Sequence, residues 1–407
     1  MRQAGRRALV IGGSMSGLLA ALLLRRQGWE VDVFERVEKE LSGRGAGIVA
    51  QPELRETLRA LGLEVRDLGV EVTTRQLLDA SGRRQGLLTC PQILTAWERV
   101  YRILRDAFPP AHYHRGKGLQ GFSQTSDGVA AQFSDGTTEE ADLLVGADGL
   151  RSTVRQQCLP DLLPLYAGYV AWRALIAEQD IPHATHKQLF SFMTFCLPPG
   201  EQCLGYPVAG PDNDLRSEHR RYNLVWYRPA EEATELQDLL TDKNGVTHTI
   251  SIPPPLISRA AIAAMRDAAE RLIAPQLRDI VRLIAEPILQ PIYDLATPSM
   301  AFGRVAILGD AAFVARPHVA AGVSKAADDA VALADALART EDVAAALKDF
   351  EAARLPIGQR IIERARHLGA YLQAEQTEEE RARSERHGIP DAVLAETAVL
   401  DFLLQPQ

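Results

Sequence analysis

The sequence predicts an α/β fold in which a discontinuous Rossmann-like domain is combined with an antiparallel-sheet domain and a C-terminal helical region. Three observations support this prediction. Residues 7 to 36 contain an apolar strand, a glycine-rich turn, a helix-like run and a second strand. Two later apolar stretches, "ADLLVGAD" and "RVAILGD", each end in a glycine and an aspartate. Between them, residues 165 to 230 hold short runs rich in aromatic and β-branched residues, which are typical of an antiparallel sheet.

The composition excludes several classes of protein. The 407 residues carry 53 acidic against 45 basic side chains, a net charge of -8, so no basic excess is available to neutralise nucleic-acid phosphates. The sequence has no run of about 18 apolar residues that would span a membrane. Four cysteines are far apart or lack metal-ligand spacing, which predicts free thiols in a reducing cytoplasm and no metal site.

The first strand–turn–helix–strand unit has the pattern of a dinucleotide-binding βαβ unit. Gly12 would permit the tight turn, and Gly17 would let a helix over 17 to 27 pack closely on the strand. Glu35 ends the second strand, where a carboxylate accepts hydrogen bonds from ribose hydroxyls. Ser14 stands at the usual middle glycine position, and its hydroxyl could donate to a phosphate oxygen. The pattern leaves open a phosphate-free βαβ unit, and it does not distinguish NAD from FAD.

The two later strand ends favour FAD. Asp310 follows an apolar strand and could reach a ribityl or ribose hydroxyl. A helix expected to begin near Gly322 could aim its N–H groups at the flavin ring or the phosphates. Each strand end by itself could be an ordinary strand-to-turn junction, and this alternative is strongest for Asp148. Because all three occur in this order in one chain, they predict that the strand ends converge on a single FAD.

With these motifs in order, the chain resembles the single-component FAD-dependent aromatic hydroxylases of the p-hydroxybenzoate hydroxylase fold. "GGSMSG", "GADGLRSTVR" and "GDAA" correspond to the family's three motifs, and the resemblance spans residues 7 to 372. Within the family, "GIVAQPEL", "YAGYVAWRALI" and "GDAAFVARPHVAAGVSKAADDA" are most similar to the hydroxypyridine-hydroxylase-like branch. Many members carry an FAD-contacting arginine where this chain has Trp97, with Arg99 two residues on, which leaves an arginine contact to FAD open.

The resemblance implies which residues hold the cofactor. They belong to the three motifs, to the loop "RGAGI" and to the segment after Asp310. The predicted FAD-binding residues are Gly12, Ser14, Met15, Ser16, Gly17, Glu35, Arg36, Arg44, Gly47, Ile48, Asp148, Gly149, Arg155, Gly309, Asp310, Pro317, Ala321, Gly322 and Val323.

The resemblance also implies a reaction. NADH or NADPH visits transiently and reduces the flavin, O2 adds to give a hydroperoxide, and one oxygen atom is transferred to a small hydroxylated aromatic or N-heteroaromatic ring. The family resemblance further implies a homodimer, while the net charge and the lack of a long apolar run predict no nucleic-acid or membrane partner. Two alternatives remain at this stage: an FAD oxidoreductase with other chemistry, such as an epoxidase or reductase, and a non-catalytic flavin-binding protein.

Three side chains are candidates for the chemistry on the substrate. The resemblance places Pro317 beside the flavin, between Arg316 and His318. Histidine titrates near neutral pH, so His318 could accept a proton from a ring hydroxyl, or it could pack near the ring and satisfy a backbone carbonyl. Arg316 could pair with an anionic substrate or with a nearby acid. Tyr206 could stack on a planar substrate or be a core residue. Strand alternation lets only some of the neighbouring aromatic residues face the same cavity: Trp172, Trp226 and Tyr227.

The order of the motifs predicts five segments and several elements within them. Helices are expected over 92 to 107 and over about 253 to 290, a hairpin turns at Asp135–Gly136, and the charged stretch 375 to 388 is expected to be a solvated helix or tail, or else a dimer contact. The segments are 1–75, 76–160 and 296–345 for the three parts of the FAD-binding domain, 161–295 for the substrate-binding sheet and helices, and 346–407 for the C-terminal helices and tail.

Overall fold

The computed structural model describes residues 6–41 and 47–404 of the chain. Its strands are β1 (Arg7–Ile11), β2 (Glu30–Glu35), β3 (Gly47–Val49), β4 (Val70–Leu78), β5 (Arg84–Ala96), β6 (Tyr113–Arg115), β7 (Leu119–Gln124), β8 (Val129–Phe133), β9 (Thr138–Ala141), β10 (Leu143–Gly146), β11 (Leu165–Ala177), β12 (Phe192–Cys196), β13 (Gln202–Val208), β14 (Arg221–Pro229), β15 (Ile288–Ala296), β16 (Ala301–Phe302), β17 (Val305–Ile307) and β18 (Phe313–Val314). Its helices are α1 (Met15–Arg26), α2 (Pro52–Ala60), α3 (Trp97–Ala107), α4 (Thr153–Cys158), α5 (His183–Leu189), α6 (Glu235–Leu240), α7 (Arg259–Leu272), α8 (Pro275–Arg282), α9 (Gly322–Arg339), α10 (Val343–Gly369), α11 (Glu378–His387) and α12 (Pro390–Glu396).

The six-stranded first sheet brings the three predicted strand ends together. Its order is β16-β17-β10-β1-β2-β6, and β17, β10, β1 and β2 run parallel. Ile11 is paired with Gly146, and Gly146 with Ile307, so the three strands end at the same level. Because the carboxyl ends of parallel strands share one edge, their loops form one crevice. The convergence predicted from the sequence is confirmed.

Two glycines allow α1 to begin at this edge. Gly12 has φ +110°, and a Cβ atom there would lie 2.3 Å from the carbonyl oxygen of Ala147. A Cβ atom on Gly17 would lie 1.9 Å from the carbonyl oxygen of Gly12, so only glycine lets the helix pack this close to the strand. The helix begins at Met15, two residues before the expected start, and then packs against α9.

The nine-stranded second sheet contains the antiparallel strands expected between residues 165 and 230. Its order is β18-β15-β11-β14-β13-β12-β4-β5-β3, and the run from β11 to β12 is antiparallel. One face carries Trp172 and Trp226 and packs on α7 and α8. The opposite face carries Tyr169, Tyr206 and Tyr227. This second face looks towards the carboxyl edge of the first sheet and supplies most of a cavity described below.

Some sequence expectations about these elements need correction. The helix expected from residue 92 begins only at Trp97, because residues 92–96 continue β5 and pair with β4 and with β3. The helical region from 253 ends before β15, which begins at Ile288. The hairpin at Asp135–Gly136 is confirmed between β8 and β9. Three expected segment boundaries, after residues 75, 295 and 345, fall inside β4, β15 and α10, because composition does not mark where one element ends.

The C-terminal segment packs back on the molecule. The charged stretch forms α11, whose first turn is closed by a reciprocal capping box between Thr377 and Glu380. Beyond α12, the backbone N–H of Ala398 donates to the carbonyl oxygen of His318 at 2.7 Å. All four cysteines lie in the described part of the chain and are free thiols. Within residues 6–41 and 47–404, no helix combines the length and apolarity needed to cross a bilayer.

Candidate active site

Two neighbouring cavities lie at the carboxyl edge of the first sheet. We call the smaller one the edge cavity; its volume is about 270 Å³. It is formed largely by turns that follow the parallel strands and by the loop before β7. Its lining residues are Ile11, Gly12, Ser14, Phe34, Glu35, Arg36, Val37, Leu41, Trp97, Lys117, Gly118, Leu119, Ala147, Asp148, Gly149, Arg151 and Thr153.

The N-terminus of α1 opens towards both cavities. Ser14 is its N-cap residue, but its side chain does not cap the helix, and the first turn contains no acidic residue. The hydroxyl of Ser14 makes no hydrogen bond within residues 6–41 and 47–404. The first N–H groups of a helix lack intrahelical acceptors and carry the positive end of the helix dipole. This helix end is therefore suited to an anionic group such as a diphosphate.

Two acidic residues at the edge cavity are held differently. Glu35 accepts hydrogen bonds from the backbone N–H of Gly13 at 3.0 Å and of Val37 at 2.9 Å, which fixes its carboxylate at the cavity wall. Asp148 instead accepts from the Ser152 hydroxyl at 2.5 Å and from the N–H groups at the start of α4. The carboxylate of Asp148 therefore caps a helix. This is the ordinary strand-to-turn role that the sequence left open.

Three predicted cofactor residues lie beneath the cavities rather than in their walls. Arg155 is fully buried and donates to the carbonyl oxygens of Ala311 at 2.9 Å and of Leu150 at 2.5 Å, so it ties the loop after β10 to the turn after β17. Gly309 lies in that second turn and donates its backbone N–H to the carboxylate of Asp329 in α9 at 3.1 Å. Gly17 lies in the contact between α1 and β1. These three residues therefore support the walls of the cavities without lining them.

The larger cavity, which we call the central cavity, has a volume of about 370 Å³. It lies between the second sheet, the N-termini of α1 and α9, and the segment after β18. Its lining residues are Ser14, Met15, Ser16, Gly47, Ile48, Val49, Trp97, Arg173, Met193, Leu204, Tyr206, Val225, Tyr227, Gln290, Asp310, Val314, Ala315, Arg316, Pro317, His318, Ala320, Ala321, Gly322, Val323, Ala326, Thr397 and Ala398.

Tyrosine hydroxyls face this cavity. Tyr206 packs directly on Gly47, where a Cβ atom would lie 2.6 Å from its ring. In the part of the chain that the structure describes, the hydroxyls of Tyr206 and Tyr227 form no hydrogen bond. Burial raises the pKa of Tyr227 to about 12 and raises that of Tyr206 as well, so both keep their protons at neutral pH. Both can therefore donate a hydrogen bond to a bound molecule.

His318 is buried in an aromatic cluster. Its Nε2 atom lies 2.9 Å from the hydroxyl of Tyr169, and its ring centroid is 4.5 Å from that of Tyr227. Burial, reinforced by the positive charge of Arg316, lowers the pKa of His318 from 6.5 to about 3. The imidazole is consequently neutral at physiological pH, in contrast to the near-neutral titration that the sequence predicted. Its Nδ1 atom is buried and has no hydrogen-bond partner among the described residues.

Arg316 is engaged within the protein. Its Nε atom donates to Asp294 at 2.9 Å, and a second nitrogen donates to the side-chain oxygen of Gln373 at 2.7 Å. Asp294 also accepts from Arg366 at 2.6 Å. Of the two alternatives that the sequence left open for Arg316, the structure shows the nearby acid.

The structure brings most of the predicted site residues to one place. The edge cavity gathers Gly12, Ser14, Glu35, Arg36, Asp148 and Gly149. The central cavity gathers Ser14, Met15, Ser16, Gly47, Ile48, Tyr206, Asp310, Arg316, Pro317, His318, Ala321, Gly322 and Val323. Arg44 lies outside the described residues. Contact of each residue with a cofactor or substrate stays a prediction.

Sequence reasoning missed several residues of the central cavity. Trp97 lines both cavities and lies where they meet, at the start of α3. Arg173 and Gln290 project from neighbouring strands, and of the aromatic trio only Tyr227 faces inward. One signal for Arg173 was available, because it is the one charged residue in the otherwise uncharged strand β11.

The residues present fit FAD. The glycine turn after β1 leaves no room for a Cβ atom, and an uncapped helix N-terminus beside it provides N–H groups for the diphosphate. Glu35 is oriented for the ribose of the adenosine half at the edge cavity. The N-termini of α1 and α9 both reach the central cavity, and neither has a capping side chain. The central cavity would therefore hold the ring end of the same molecule.

Comparison with known proteins agrees with this assignment. Residues 10–63 match a model of the NAD(P)-binding Rossmann-like domain, residues 166–294 an FAD binding domain-like model and residues 291–365 an FAD binding domain. The chain is 35% identical to 2,6-dihydroxypyridine 3-monooxygenase of Paenarthrobacter nicotinovorans over 368 residues, which cover 90% of this chain and 91% of that protein. It is 29% identical to 3-amino-4-hydroxybenzoate 2-monooxygenase of Streptomyces cremeus, covering 89% and 86% of the two chains.

A solved structure shows the same fold. The structure of 2,6-dihydroxypyridine-3-hydroxylase from Arthrobacter nicotinovorans superposes with a TM-score of 0.86 at 34% identity, covering 92% of this chain and 94% of that one. The chain therefore belongs to the FAD-dependent aromatic hydroxylases. It is a flavin-dependent monooxygenase that uses FAD as cofactor, NAD(P)H as electron donor and O2 as co-substrate.

Proposed function

We propose that this enzyme hydroxylates a small ring that already carries a hydroxyl group, either an N-heteroaromatic ring such as a hydroxypyridine or a phenol. The observation that carries the proposal is the central cavity. Two tyrosine rings line this cavity, and a substrate ring bound against them would lie next to the region that is suited to the flavin ring. The similarity to a 2,6-dihydroxypyridine 3-monooxygenase and a 3-amino-4-hydroxybenzoate 2-monooxygenase supports this substrate class.

When bound, FAD supplies the redox chemistry, because it accepts a hydride from NAD(P)H and activates O2. The protein has three tasks around it. Tyr206 and Tyr227 provide flat apolar surfaces for the substrate ring and hydroxyl donors for its oxygen atoms. His318 stays neutral and holds the Tyr169 hydroxyl. Thr397 and Ala398 close one side of the cavity, which helps to exclude water.

A turnover assay tests the proposal. The purified flavoprotein is supplied with NADH or NADPH and with dihydroxypyridines, hydroxybenzoates and urate one at a time. We expect at least one hydroxylated ring to stimulate NAD(P)H oxidation and to gain one oxygen atom from ¹⁸O2, measured by mass spectrometry. Oxidation that no ring stimulates, with no ¹⁸O in any product, would contradict the proposed substrate class.

We also propose a cytoplasmic location and a homodimer. The free thiols support the location, and the family resemblance supports the dimer. The net charge of -8 supports the absence of a nucleic-acid partner. Light scattering coupled to gel filtration should give about twice the mass of the 44.6 kDa chain. A mass equal to that of one chain would contradict the dimer.

A further inference from the structure

Two guanidinium groups reach the central cavity, and they differ in how their charge is balanced. Arg316 is almost fully buried and forms an ion pair with the equally buried Asp294 at 2.9 Å. Gln373 accepts a further hydrogen bond from it. Its positive charge is therefore paired inside the protein with a carboxylate, which it shares with Arg366.

Arg173 has no such partner among the residues that the structure describes. One of its terminal nitrogens donates to the neutral side-chain oxygen of Gln290 at 2.8 Å. Its Nε atom is buried and makes no hydrogen bond to any described residue. No carboxylate within residues 6–41 and 47–404 lies at ion-pair distance from it. The described residues therefore provide no counter-ion for this partly buried guanidinium, and pairing with an anion would lower the cost of its burial.

The surroundings of Arg173 show where that counter-ion would sit. Arg173 lies on the cavity face of β11, next to Val225, and it shares the cavity wall with Tyr206 and Tyr227. Burial is the main influence on the pKa of both tyrosines, and the positive charge of Arg173 acts on both in the opposite direction. The guanidinium of Arg173 and the two tyrosine hydroxyls therefore belong to the wall of the same cavity.

We infer that Arg173 is an anion subsite that selects rings bearing a negatively charged oxygen, with Gln290 as the residue that positions its guanidinium. This inference rests on the proposed function, since the ring is the substrate of the hydroxylation. An arginine stays protonated, so it stabilises the oxyanion without returning a proton to it. The ionised oxygen donates electron density into the ring, which favours attack by an electrophilic oxygen atom. When a neutral hydroxyl ionises on binding, its proton leaves to solvent.

The oxyanion could be an ionised ring hydroxyl or a ring carboxylate, and ligand binding to the holoenzyme without NAD(P)H distinguishes the two. The ultraviolet spectrum of a bound hydroxypyridine reports whether its hydroxyl is ionised. The probes are 2,6-dihydroxypyridine, 4-hydroxybenzoate and 2,6-dimethoxypyridine, which has no ionisable hydroxyl. We expect at least one of the first two to bind as an anion, and its spectrum assigns the charge to the hydroxyl or to the carboxylate.

Arg173→Gln should weaken binding of that anion about 100-fold and shift the bound hydroxypyridine towards its neutral spectrum. Binding of the dimethoxy ring should change less than about threefold, and Arg173→Lys should recover part of the anion binding because it restores the charge. The matched control is Arg282→Gln, which removes an exposed arginine of α8. Flavin content and far-UV circular dichroism show that each variant is folded.

The outcomes separate this inference from the proposed function. If no ring stimulates NAD(P)H oxidation in the wild type, the proposed function fails. If a ring is hydroxylated but Arg173→Gln binds its anion as tightly as the wild type and with the same spectrum, the inference alone is overturned. Equal losses for the anionic and the dimethoxy rings would also overturn it, because they would show a general role of Arg173 in shaping the cavity.

Discussion

The edge cavity and the central cavity lie side by side, yet they are built from different parts of the polypeptide. Backbone turns directly after β1 and β10 contribute much of the edge cavity, and its main features fall within short stretches of sequence. The central cavity takes side chains from β11, β12, β13, β14 and β15 and from the C-terminal tail, which are far apart in sequence. The edge cavity thus depends mainly on backbone shape, and the central cavity on the direction of individual side chains.

The largest effect is expected where backbone shape leaves no freedom. Gly12→Ala places a Cβ atom 2.3 Å from the Ala147 carbonyl oxygen at a φ of +110°. We expect FAD affinity to fall at least about 100-fold, measured by fluorescence titration of protein with a native circular dichroism spectrum.

The control is Gly28→Ala. Gly28 has a φ of +87°, but the space around it is open. It should cost about 1 kcal/mol of stability and retain its flavin. If Gly12→Ala is purified with a full complement of FAD, the edge cavity is not shaped by its backbone as described.

The central cavity should respond to the loss of a charge pair. Asp294→Asn leaves the buried Arg316 and its neighbour Arg366 without their shared carboxylate. We expect the free energy of unfolding to fall by about 3–5 kcal/mol, measured with urea. Asp214→Asn, which breaks an exposed pair with Arg216, is the control and should have a much smaller effect. Equal effects of the two substitutions would show that the buried network does not hold the cavity.

Trp97 joins the two cavities and tests whether one molecule occupies both. It is half-buried, whereas the other three tryptophans are almost fully buried and line neither cavity. FAD added to the apoprotein should quench tryptophan fluorescence, and Trp97→Phe should remove most of that quenching while weakening FAD by about tenfold or less. Trp29→Phe is the matched control. Quenching that persists in Trp97→Phe would place the cofactor away from this junction.

The smallest effect at neutral pH concerns the ionisation of His318. Its folded pKa of about 3 lies below the ordinary value of 6.5, so between these values the unfolded chain binds more protons. The stability that the neutral ring contributes is present above pH 6.5 and is lost as the pH falls. His318→Asn should therefore flatten the decline of unfolding free energy below about pH 6 by up to about 1.4 kcal/mol per pH unit.

The control for this pH dependence is His183→Asn, which changes an exposed histidine at the start of α5. It should leave the slope as in the wild type. If His318→Asn has the same slope as the wild type, the imidazole is not held neutral in the folded protein.

The contrast between the cavities also explains how far the sequence could be interpreted. Gly12, Gly17 and Glu35 could be predicted because a close helix–strand contact and a strand end dictate residue types at fixed spacing. The convergence of the three strand ends followed from the parallel pairing of apolar strands. Asp148 illustrates the limit, because only the folded arrangement shows that its carboxylate caps α4 through Ser152 and Thr153.

The substrate side was less predictable for a physical reason. Alternation along a strand defines two faces but not which one meets the cavity, so Trp226 and Tyr227 could not be separated. The pairing of Arg316 with Asp294, and the burial that lowers the pKa of His318, depend on contacts between distant segments. Arg173 stood out in its strand, but the lack of a carboxylate partner for it among the described residues is visible only when the neighbouring elements are in place.

The binding of one FAD across both cavities is tested most directly by a crystal structure of the protein with FAD bound. We expect the diphosphate at hydrogen-bond distance from the Ser14 hydroxyl and the first N–H groups of α1, the adenosine half at Glu35, and the flavin ring in the central cavity between Tyr206 and Pro317. A structure with FAD bound outside these two cavities, or with the adenine in the central cavity, would contradict it.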